Sequence, residues 1–171
     1  MWIMGFLNGK ESFVQPYILV GKIIKTGGIE SVIDYYKKLC ESYYQELLDM
    51  LVFDAVILNE DRHFGNFGFL IDNKSNKIVG CAPIFDNGLS LLCYAMDDDF
   101  KNIDQYIQTR LPATYLDFIG FVKPLMTKKQ KDKLRKLIDF KFTSHYKYKL
   151  PKKRLKYLEE IIQKRVLELL E

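Results

Sequence analysis

NEDRHFGNFGFLIDNKSNKIVGCAPIFDNG, residues 59–88, decides how the rest of the chain is read. Asp61 and Asn66 stand five positions apart in a polar stretch, and Asp86 follows twenty positions after Asn66. Phosphoryl transfer to a hydroxyl uses such a set: one carboxylate to orient the nucleophile and take its proton, then an amide oxygen and a second carboxylate to hold the magnesium that bridges the nucleotide phosphates. Between them, FGFLID (67–72) and KIVGCAPI (77–84) are apolar and rich in aromatic or branched residues, with N-K-S-N between. That pattern predicts a β-hairpin with a four-residue loop. Folding the chain about the middle of 73–76 sets position 86 opposite position 63, which returns Asp86 to the loop carrying Asp61 and Asn66.

In protein kinases the first two groups come from an H-R-D-x-x-x-x-N loop and the third from D-F-G. Here Asp61 to Asn66 keeps the D-x-x-x-x-N spacing, and F-D-N-G at 85–88 sits where D-F-G would be. The string LVFDAVILNEDRHFGNFGFL, followed by APIFDNGLSLL, resembles the C-terminal lobe of HipA-like serine/threonine kinases, the toxin-type kinases of bacteria. FKFTSHYKYKLPKKRLKYLEEII is similar to the end of the same family, and D-R-H-x-x-N is shared with phosphoinositide kinases. Together these similarities cover roughly residues 40–171. The resemblance implies a mainly α fold with one β-hairpin (α+β), like a kinase large lobe with the small lobe missing. It assigns 1–28 as a remnant of the link to a small lobe and 29–171 as the C-terminal kinase domain. It further implies ATP- and Mg2+-dependent phosphoryl transfer to a Ser/Thr hydroxyl of a protein substrate. Asp61 would be the catalytic base, with His63 beside it bracing the loop, and Asn66 and Asp86 would bind magnesium and through it the nucleotide.

The chain also departs from that pattern. Kinases cover the phosphates with a glycine-rich loop and touch them with a lysine, yet neither G-x-G-x-x-G nor G-x-x-x-x-G-K-[ST] occurs. The expectation is therefore a large lobe that works with a separate small-lobe polypeptide or by self-association, through an apolar patch near Asp61 and Asp86 to which WIMGFL (2–7) contributes. Two other classes stay open. One is a kinase-like binding or regulatory module without activity. The other is a metal-dependent hydrolase built on Asp61, His63 and Asp86, although zinc sites want three or four protein ligands.

Composition fits one ordinary globular domain: 171 residues, 48% hydrophobic and 28% charged. No run approaches the ~18 apolar residues of a membrane span, and MWIMGFLNGK lacks the basic region that opens a signal peptide. Cys40, Cys81 and Cys93, odd in number and without C-x-x-C spacing, fit reduced thiols of a cytoplasmic protein. Charge is uneven: residues 123–171 hold 16 Lys/Arg against 6 Asp/Glu, leaving 10 against 16 in 1–122. A basic third can attract nucleic acid, nucleotide phosphates or an acidic partner. Lysines spaced through amphipathic helices also make an ordinary solvated face, and direct nucleic-acid contact is not expected from the sequence.

Along the chain, 1–13 reads as irregular and 13–25 as a helix or strand closed by Gly27-Gly28, with Pro16 suited to a first helical turn. Ile29, Val32, Ile33, Tyr36 and Leu39 give 29–44 the spacing of an amphipathic helix. Residues 46–59 are apolar almost all round, which predicts a buried central helix delivering Asp61 from its C-terminal end. Residues 89–102 stand where a kinase has its activation segment, and their acidic triplet Asp97–Asp99 reads as a solvated loop rather than a metal site; 110–125 reads as short helices, 127–140 as a helix capped by Thr127, and 151–171 as a long amphipathic helix.

Overall fold

The structure, a computed structural model, describes residues 10–14, 22–143 and 145–171, with backbone only for 22–26. Pro16 and the apolar run 2–7 lie outside the described residues. The central element is helix α2 (Glu41–Ile57), preceded by α1 (Lys22–Leu39). Nine side chains of α2 are buried, and Leu48, Leu51 and Ala55 are fully so. Truncating Leu51 to alanine would cost about 2–5 kcal/mol by the usual toll of a large-to-small change in a packed core. The predicted stripe of α1 docks on it: Ile29, Val32, Ile33 and Tyr36 are buried, whereas Leu39 is exposed. The predicted break at Gly27-Gly28 is a kink inside α1, where Gly28 takes φ 55°, ψ −141°. This is a conformation that L side chains avoid. The expected single helix over 29–44 is two helices, because Cys40 is extended (φ −168°, ψ 137°) and the chain turns there.

The hairpin forms as β2 (Phe69–Asp72) and β3 (Ile78–Cys81). Asp72 shapes the turn: its Oδ1 accepts from Ser75 N and Oγ, both at 2.7 Å, and from Lys74 N at 3.2 Å. Local bonds of this kind make Asp a turn-former. A bulge between Leu70 and Ile71 shifts the register, so Phe69 faces Cys81 and Leu70 faces Gly80. That sets position 86 opposite 64 rather than 63. One correction concerns the N-terminal region: Glu11–Val14, expected to be irregular through residue 13, is strand β1, antiparallel to β2 from Glu11↔Asp72 to Val14↔Phe69. The described sheet thus has three strands in the order β1-β2-β3. Phe69 fastens it to the helices by stacking on Tyr36 with ring centroids 4.4 Å apart.

The remaining helices are α3 (Ile103–Gln108), α4 (Phe118–Val122), α5 (Lys128–Arg135) and α6 (Lys152–Leu170). Helices α4, α5 and α6 all pack on α2, which makes it the core of the domain, as its composition predicts. Thr127 caps α5 as expected, its N–H donating to Gln130 Oε1 at 3.1 Å. Buried Gln130 then reaches Asp49 Oδ1 on α2 at 2.9 Å. From α6, Arg165 Nε donates to the Ala55 carbonyl at 2.9 Å. No described helix is long and apolar enough to cross a membrane.

Candidate functional site

The site starts where α2 ends. Leu58 is left-handed (φ 54°, ψ 54°), a position usually filled by Gly or Asn. The conformation costs roughly 1–2 kcal/mol for an L side chain, an amount comparable to what full burial of a leucine returns; Leu58 is 1% exposed. The turn brings Asn59 back over the last helical turn, with Asn59 N bonded to the Asp54 carbonyl and Asn59 Nδ2 to Asp54 Oδ1, both at 3.0 Å. Asn59 Oδ1 in turn accepts the Asp61 N–H at 3.3 Å. The predicted catalytic loop is therefore attached to the buried helix through one fully buried amide.

Arg62 is the hub of the arrangement. Its guanidinium, 1% exposed, forks onto Asp54 through Nε (2.8 Å) and Nη2 (3.1 Å). Nη1 donates to the carbonyls of both Asn66 (2.8 Å) and Phe85 (2.6 Å), and Nη2 donates to Asn87 Oδ1 (2.5 Å). One buried cation thus ties together α2, the 61–66 loop and F-D-N-G. Burial pushes the Asp54 carboxyl above its ordinary range, and the Arg62 fork and Asn59 pull in the opposite direction. A buried ion pair adds little net stability over an apolar replacement, so its value here is in fixing geometry.

Of the four predicted site residues, Asn66 bonds to this hub through its carbonyl and Asp86 lies between two residues that do, while Asp61 and His63 flank Arg62 in the loop. Asp61 is half-buried; its carbonyl accepts from His63 N and from Asn66 Nδ2, both at 2.8 Å. His63 is exposed and braces the loop, its Nδ1 accepting the Gly65 N–H at 2.9 Å. Asn66 is buried, and the bond from its Nδ2 to Asp61 turns the amide oxygen away from that carbonyl. Asp86 is exposed and left-handed (φ 55°), held between Phe85 and Asn87, which both bind Arg62. The loop and the following segment are also stitched together: Glu60 N donates to the Leu89 carbonyl (3.0 Å) and Leu91 N to the Ile57 carbonyl (2.7 Å). From β1, Phe13 packs edge-on against Phe85 with centroids 5.4 Å apart.

Several contributors are not among the residues singled out from sequence. Asp54 carried a signal, being the one charged residue in the apolar run 50–59. Arg110, paired with Glu60 at 3.3 Å, and Thr114, whose hydroxyl donates to the Arg62 carbonyl at 3.4 Å, carried none. Ile84, two residues before Asp86, is exposed. A cavity of about 360 Å3 lies between the helices and the hairpin, lined by Tyr36, Glu46, Met50, Cys81 and Pro83. Desolvation there, with Glu46 nearby, pushes the Cys81 thiol up to about 12.

Asn66 and Asp86 offer an amide oxygen and a carboxylate, donor types that suit magnesium better than zinc. Magnesium keeps several waters and takes one or two protein oxygens plus phosphates. Among the described residues no three His, Cys, Asp or Glu side chains group as a metal site, which leaves the Asp61/His63/Asp86 hydrolase reading without its ligand set.

A buried helix delivering a D-x-x-x-x-N loop, a hairpin returning a second carboxylate, and helices packed beneath them make a kinase-like fold. A solved structure with this architecture is the crystal structure of a Helicobacter pylori proinflammatory kinase, CtkA. It matches with a TM-score of 0.67 and 18% identity, over 96% of this chain and 72% of that chain. No family model and no curated protein matches the sequence.

Proposed function

We propose that this chain is the large lobe of an ATP- and magnesium-dependent kinase that phosphorylates a Ser/Thr hydroxyl on a protein, with residues 29–171 as its C-terminal domain. The observation that carries this reading is the Arg62 hub, which gathers the Asp61–Asn66 loop and Asp86 around one buried guanidinium. Asp61, whose carboxylate takes no hydrogen bond from the described residues, orients the acceptor hydroxyl and receives its proton. Asn66 Oδ1 and Asp86 hold magnesium. When bound, the ion neutralises charge on the β- and γ-phosphates of the nucleotide. His63 keeps the loop turned by accepting the Gly65 N–H.

The glycine-rich loop and phosphate lysine, which no stretch of this sequence carries, come from a small lobe that sits beside Asp86, where Ile84 is exposed. β1, inside the 1–28 segment, lies on that side of the site through the Phe13–Phe85 contact. The test is transfer of label from γ-labelled ATP, with and without any small-lobe product encoded upstream. Asp61→Asn should abolish transfer while Mg-ATP binding survives, and Asp86→Asn should weaken both. Transfer at the parent rate in both variants would overturn the assignment. Loss of transfer in the parent under every pairing would favour a regulatory module without activity.

A further inference from the structure

Away from that site, the segment between α5 and α6 carries an arrangement the kinase reading does not use. Between Lys141 and Arg154 there are six cations and no acid. Three rings gather there: His145 stacks on Tyr146 at 4.7 Å and on Tyr148 at 5.4 Å, with interplanar angles of 29° and 23°. Tyr146 and Tyr148 are 87% and 71% exposed. The stack is held by its own turn, since His145 Nδ1 accepts the N–H groups of Lys147 (3.1 Å) and Tyr148 (2.9 Å).

The cations divide by use. Lys141 is spent on Glu159, and Arg154 donates to the carbonyls of Ala95 and Leu92. Lys147, Lys149, Lys152 and Lys153 have no carboxylate partner among the described residues; Lys147 and Lys153 lie over Tyr148 and Tyr157. Lys152 and Lys153 sit in the first turn of α6, which holds no acid. Cations there oppose the helix dipole, so fold stability does not account for their placement.

We propose that residues 145–153 form a binding surface for single-stranded nucleic acid. Unpaired bases stack on the exposed rings of Tyr146 and, once Lys147 swings from its ring to a phosphate, Tyr148, while phosphates lie along Lys147, Lys149, Lys152 and Lys153. Base–aromatic stacking over a basic track is how sequence-tolerant single-strand binding works. A duplex offers no free base faces. An anionic membrane would want aliphatic side chains to enter it, and Leu150 is the one aliphatic residue from 141 to 153.

The experiment is fluorescence anisotropy of the full chain with labelled oligo-dT and oligo-rU of about 20 nucleotides. A matching duplex and phosphatidylserine-containing vesicles serve as the competing ligands. Single strands should bind and weaken about 50-fold between about 50 and 200 mM salt, as four phosphate contacts require. Tyr146→Ala/Tyr148→Ala should bind at least about tenfold more weakly with an unchanged salt slope. Lys147→Ala/Lys149→Ala should flatten the slope by about 1.4. All four side chains are exposed, so both variants should melt as the parent does. A preference for oligo-rU over oligo-dT would identify RNA as the ligand, and equal binding would support a surface that accepts either. Duplex binding as tight as single-strand binding, an unaffected tyrosine variant, or binding to vesicles alone would overturn the proposal.

Discussion

The loop 59–66 and the segment 85–92 flank the same guanidinium, yet they are held in opposite ways. The loop is fixed from inside: Asn59, Arg62 and Asn66 are buried, and each bonds to α2 or to the loop itself. The segment is exposed at Asp86, Asn87 and Gly88, and three of its residues, Asp86, Leu91 and Leu92, are left-handed without being glycine. Backbone in that region persists only where surrounding structure over-determines it, and it clusters at functional sites. The comparison teaches where the rigidity comes from. The loop places Asp61 through a buried network, whereas Asp86 is placed by two bonds reaching out from that network to a strained strip.

The largest effect should come from cutting the link between the two. Arg62→Ala leaves Asp54 charged, buried and unpaired, which should cost about 3–5 kcal/mol in urea unfolding. Arg62→Lys should recover little of it, because an ammonium cannot fork onto a carboxylate while also reaching two carbonyls. A loss under about 1 kcal/mol in either variant would show that the hub does not hold the site. Next, Asn59→Ala removes a fully buried amide and should cost about 1–3 kcal/mol; an unchanged midpoint would mean the loop is held elsewhere.

Changes on the exposed side should run the other way. Asp86→Gly relieves a left-handed backbone and should raise stability by about 0.5 kcal/mol while reducing Mg-ATP binding. Destabilisation by that change would contradict the strain. The smallest effect belongs to a surface pair outside both regions. Lys141, bonded to Glu159, and the Phe142 N–H hold the Glu159 carboxyl below its ordinary range. A folded value below the unfolded one means the contribution is present above the unfolded value and lost as pH falls through the folded value. The stability gap between parent and Glu159→Gln should therefore close on acidification. A gap that widens in acid would reverse the sign.

What could be read from sequence and what could not divides along the same line. The D-x-x-x-x-N spacing, the hairpin and the buried helix depend on near neighbours and on periodicity, so residues 46–88 announced them. Strand β1 did not, because its partners stand as far off as Asp72 from Glu11, and four residues offer little alternation. The break at Cys40 is a backbone event in a sequence whose apolar pattern runs through it. The role of Arg62 was hidden because its carbonyl and amide partners at Phe85 and Asn87 are more than twenty residues away. Only Asp54, an acid alone in an apolar run, was there to be noticed.

The central claim is that Asn66 and Asp86 share one cation at the Arg62 hub. Paramagnetic line broadening tests it directly: Mn2+ with ATP is titrated into 15N-labelled chain, and amide signals are followed. The account predicts that the Asn66 side-chain amide and the backbone amides of 85–87 broaden together at substoichiometric Mn2+, and that Asp86→Asn abolishes the effect at both places. Broadening confined to the acidic run Asp97–Asp99, or broadening at Asn66 that survives Asp86→Asn, would contradict it.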